Sequence, residues 1–64
     1  MRKYHVICIL AEDNSKHTLW TADTYFEAKD FYKSYIDIAY CEKIDCIIQL
    51  THGRKVEQAY EVNN

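Results

Sequence analysis

Sixty-four residues with a formal net charge of -2, of which 48% are hydrophobic and 28% charged, predict one small α+β domain, residues 1–64, built on a single core. Proline is absent and glycine occurs once, so no flexible linker divides the chain. Acids and bases are interspersed without a basic field, which disfavours generic DNA or RNA binding, and the apolar run Val6 to Ala11 is far too short to cross a bilayer.

The segment Met1-Arg2-Lys3-Tyr4-His5 runs into a strand pattern without a signal-peptide cleavage site, and the expected compartment is the cytoplasm. Tyr4 to Leu10 then alternates, with Tyr4, Val6, Cys8 and Leu10 on one face and His5, Ile7 and Ile9 on the other. That period of two predicts a first strand. The polar stretch Glu12 to Lys16 predicts a loop, and His17 to Thr21 a short second strand with Thr18 and Trp20 on one face. Setting Leu10 opposite Thr18 places Cys8 opposite Trp20 and gathers the even-numbered residues of both strands on one side.

A helix is expected from Asp23 or Thr24, because either can cap free amides and Glu27 stands three residues beyond Thr24, the spacing of a capping box. Ala28, Phe31, Tyr32, Tyr35, Ile38 and Ala39 recur at helical spacing, while Glu27, Asp30, Ser34 and Asp37 fall opposite. The pattern fades near Tyr40. Lys43 to Thr51 alternates again, with Ile44, Cys46, Ile48 and Leu50 against Asp45, Ile47, Gln49 and Thr51. After the turn around Gly53, Lys55 to Val62 forms a fourth strand with Val56, Gln58, Tyr60 and Val62 sharing a face. A three-residue loop, with Leu50 opposite Val56 and Cys46 opposite Tyr60, keeps that face apolar; a two-residue His52-Gly53 turn would set Leu50 against Lys55.

The order is therefore β-β-α-β-β. The two most apolar strands belong at the centre, which predicts a four-stranded antiparallel sheet in the order 2-1-3-4 with one helix packed on the even-numbered face. Trp20, Phe31, Tyr35, Cys46, Ile48 and Tyr60 are expected between helix and sheet.

Residues that could carry chemistry are few. Cys41, Cys46 and His52, with His5 and Cys8 in reserve, lack the tight Cys-x2-Cys pairs on turns that structural zinc draws on. A nucleophilic pair, Cys46 with His52 or Cys8 with His17, needs an exposed thiolate of low pKa, whereas Cys8 and Cys46 lie within apolar alternation and behave as small hydrophobes. The three cysteines are expected as free thiols, and neither metal, cofactor nor enzymatic activity is expected.

The odd-numbered face has a different character. Ile7, Ile9, Leu19 and Ile47 are expected to project from it, away from the helix, as a contiguous aliphatic patch of the kind that marks an oligomer or partner surface. The expected function is a non-enzymatic protein-interaction module, a homodimer that regulates or inhibits a protein partner. A single-stranded nucleic-acid binder stacking bases on sheet tyrosines is the alternative, opposed by the net charge and by the aliphatic character of that face; an enzyme is a third. In composition, rich in Lys, Tyr and Ile and poor in Gly and Pro, the chain resembles accessory proteins of phages and mobile elements in AT-rich bacteria.

Overall fold

A computed structural model describes residues 3–64; Met1 and Arg2, the start of the segment expected to lead straight into the first strand, lie outside the described residues. Five elements follow in order: β1 (Tyr4–Leu10), β2 (Lys16–Ala22), α1 (Tyr25–Cys41), β3 (Cys46–His52) and β4 (Lys55–Val62). The strands form one antiparallel sheet in the order β2-β1-β3-β4. The α+β architecture, the strand order and the single crossover helix are those the alternation and the capping signal predict.

Thr24 starts the helix from an extended backbone, and its hydroxyl accepts the amide of Glu27 at 3.3 Å. The end, which no glycine marks, is closed by Lys43 in the left-handed region at φ 56°. Around it the amide of Ile44 donates to Ala39 O at 2.9 Å and that of Lys43 to Tyr40 O at 3.2 Å, the paired bonds of a Schellman motif. Ile44 is spent on this closure, and β3 begins only at Cys46.

Two alanines and a single tyrosine form the buried stripe of α1. Ala28 and Ala39 are buried beside Tyr32, above Val6, Ile48, Leu50 and Val62, the largest side chains fully removed from water. Cys46 and Ile48 are in this core as expected. Trp20 and Tyr60 are not: they remain 38% and 44% exposed, because they stand on the outer strands β2 and β4, to either side of the buried stripe Ala28, Tyr32 and Ala39 of the single helix. Over β2, Trp20 stacks on half-buried Phe31 at 4.0 Å and donates its indole N–H to Glu27 at 3.1 Å. Over β4, the hydroxyls of Tyr40 and Tyr60 meet at 2.9 Å, and Gln58 donates to Tyr25 at 2.7 Å while accepting from Lys29.

Both hairpins depart from strict alternation. In the first, Val6 faces Trp20 but Ile7 faces Thr18, so Leu19 is the extra residue of a bulge. The pairings Leu10 with Thr18 and Cys8 with Trp20 are replaced by Cys8 with His17 and Ile9 with Lys16. In the second, His52 faces Lys55 across a two-residue Gly53-Arg54 turn, where Gly53 takes the positive φ of 63° that primed hairpin turns require. Leu50 then faces Gln58 and Cys46 faces Val62, with Glu57 as the extra residue. The expected three-residue loop is thus replaced by a tighter turn plus a bulge, which preserves the apolar parity of Gln58, Tyr60 and Val62 and turns Val56 to the other face.

Candidate interaction surface

The face of the sheet opposite α1 can be read row by row from the strand registers. Its first row runs Lys16, Ile9, Ile47, Glu61 across β2, β1, β3 and β4. The second is Thr18, Ile7, Gln49, Ala59, and the third Thr21, His5, Thr51, Val56. Ile7, Ile9 and Ile47 are therefore contiguous, with Ile9 and Ile47 directly paired, and Ile47 keeps 36% of its surface in water. Val56 and Ala59 extend the apolar area toward β4. Lys16 and Glu61 are the only charged residues within the paired rows, and they stand at opposite edges of the same row.

Leu19, expected on this face, is elsewhere. The bulge moves it to the helix side, where it packs beside Cys8, Leu10, Tyr35 and Ile38 in an apolar cleft of about 370 Å³, and its carbonyl accepts the Tyr35 hydroxyl at 3.3 Å. Adjacent apolar residues in a polar strand, Leu19-Trp20, were the available signal: both can reach shelter on one side only if alternation breaks between them. None of the nine aromatic residues belongs to the three rows; Tyr4, Trp20 and Tyr60 point to the helix side, and the other six lie on α1.

Candidate reactive groups are dispersed or masked. Cys46 and His52 sit at opposite ends of β3, roughly 20 Å apart at the rise of a strand. His52 is stacked flat on Tyr4 at 4.0 Å. Cys8 does face His17, but Cys8 is buried and His17 Nε2 is engaged with the Ser15 hydroxyl at 2.8 Å. Cys41 alone of the three thiols is exposed. Among the described residues no group of three or more His, Cys, Asp or Glu is arranged to hold a metal ion, and no helix is long and apolar enough to cross a membrane.

Burial, followed by contact with the Cys8 thiol, pushes the Cys46 thiol up from 9.0 to about 11. The folded chain keeps this proton where the unfolded chain releases it. The associated stability is fully present below pH 9 and is lost as pH rises through about 11. Urea midpoints measured across this alkaline window should fall by the equivalent of ~1–3 kcal/mol from this group, and Cys46→Ala should remove that part of the decline. Parallel alkaline profiles for wild type and variant would show that the thiol is not protected.

No protein-family model matches the chain, and neither a characterised protein nor a solved structure does.

Proposed function

We propose that this chain is a non-enzymatic interaction module that pairs with a second copy of itself through the uncovered face of its sheet, and that it acts on other proteins by contact, as a regulator or inhibitor. The observation that carries this reading is the contiguous trio Ile7, Ile9 and Ile47 on the face that α1 does not cover. Each isoleucine is worth ~1.5–3 kcal/mol when taken fully out of water. Ile7 and Ile9 are already half-buried by their neighbours, so only part of that remains to be gained. The face itself measures roughly 23 by 19 Å from strand rise and spacing, below the ~800 Å² per partner of a standard interface. Both limits point to a weak, reversible dimer.

Sedimentation equilibrium over a wide concentration range tests this. Wild type should shift from monomer to dimer, and its melting temperature should rise with concentration, since association stabilises only the folded chain. Ile9→Lys and Ile47→Asp should each abolish both effects by burying an uncompensated charge at the centre. A wild type that stays monomeric throughout, with variants that melt at the same temperature, would remove the basis of the proposal.

A further inference from the structure

The uncovered face also specifies how two copies would meet, provided they meet there as proposed above. Its first row is apolar at the centre and oppositely charged at its ends: Lys16 on β2, Ile9 and Ile47 on β1 and β3, Glu61 on β4. Two sheets stacked face to face can be related by a two-fold axis lying between them in one of two principal directions. If the axis runs across the strands at this row, each strand lies over its own counterpart, and Lys16 confronts Lys16 while Glu61 confronts Glu61. If it runs along the strands, β2 of one copy lies over β4 of the other and β1 over β3. Every Ile9 then covers an Ile47, and every Lys16 stands over a Glu61.

We infer that the pair forms about the axis parallel to the strands, between β1 and β3, with two symmetry-related Lys16–Glu61 contacts closing the rim of an isoleucine centre. Both axes keep the strands of the two sheets aligned, the preferred geometry for sheets packed face to face, so the charges at the ends of the row decide between them. Stacked sheets lie about 10 Å apart, a gap that a lysine and a glutamate reaching toward each other can bridge. The remaining rows bring no charge against an apolar group, because Thr18, Ile7, Gln49 and Ala59, and beyond them Thr21, Thr51 and Val56, carry none; His5 is the one titratable member and contacts Thr21 at 3.1 Å. Asp45, just beyond the first row, has its carboxylate occupied by the backbone and side-chain nitrogens of Asn64 at 2.9 and 3.0 Å.

Charge reversal decides between the two axes. Lys16→Glu makes both edges of the row negative and Glu61→Lys makes both positive, so each variant alone should self-associate at least ~10-fold more weakly than wild type. An equimolar mixture of the two should recover wild-type association to within about 3-fold, because every rim contact in the mixed pair is again between opposite charges. Both positions are exposed and lie at the sheet edges, and melting curves at low concentration should confirm that the variants fold. A mixture no tighter than its components, or single variants that pair as well as wild type, overturns the strand-parallel axis while self-association through the face stands. Absence of association in the wild type itself overturns both this geometry and the function it rests on.

Discussion

Replacing Leu50 with alanine should remove much of the stability of the fold. Leu50 has no surface in water and pairs with Val6 on one side and Gln58 on the other, beneath the helix. Deleting such a side chain costs ~2–5 kcal/mol, the upper end applying where rigid neighbours cannot close over the cavity. Two strands flank Leu50 and the helix covers it, so collapse is restricted. A domain of this length has a total stability of about 3–10 kcal/mol, and the loss is comparable to the whole. Urea titrations followed by far-ultraviolet circular dichroism should show a native baseline that is short or absent for Leu50→Ala. The half-buried Phe31, which rests on the partly exposed Trp20, should cost clearly less when truncated. Equal midpoints for wild type and Leu50→Ala would mean that the core is centred elsewhere.

Ala28→Leu should be the second most damaging change, although it adds apolar surface. Ala28 is wholly buried in the first turn of the helix, and the extra atoms have nowhere to go unless the helix lifts from the sheet. Overpacking of this kind costs ~1–3 kcal/mol and sometimes more. Helix propensity cannot account for it, because alanine and leucine are both strong helix formers. The same leucine at Ser34, on the solvent side of α1, should leave the urea midpoint close to that of wild type. If Ala28→Leu is as stable as Ser34→Leu, the helix does not approach the sheet through its alanines.

Leu50 and Ala28 differ in how far local sequence determines their burial. The alternation of β1 and β3, the Thr24 cap and the spacing along α1 are local signals, and they were enough to set the strand order and the face the helix covers. What distinguished Ala28 and Ala39 from Phe31 and Tyr35 on the same stripe was not local. All four satisfy helical spacing, and only the distance between two packed elements decides whether a small or a large side chain occupies the line of closest contact. The bulges at Leu19 and Glu57 escaped for a related reason. A single inserted residue reverses parity beyond it, and the benefit, shelter for both Leu19 and Trp20 or a tight Gly53 turn with Gln58 still facing Tyr25, appears only once the partner strand and the helix are in place. The patch of Ile7, Ile9 and Ile47 rests on the two strands without bulges, and its coherence was visible in their alternation. Strict alternation along β2 adds Leu19 to it, and the bulge cancels that parity.

The same two bulges fall on β2 and β4, the outer strands of the sheet. A straight outer strand is a template onto which further chains can add one after another, and such growth has no natural end. A bulge interrupts the regular ladder of donors and acceptors and twists the strand away from a flat approach, and lysine or glutamate at Lys16, Lys55, Glu57 and Glu61 makes the approach costlier still. In the proposed pair, self-recognition is thereby diverted from the rims of the sheet to its face. A face that is used up by one matching face cannot recruit a third copy, so crowding the chain should yield a bounded particle and not a fibre.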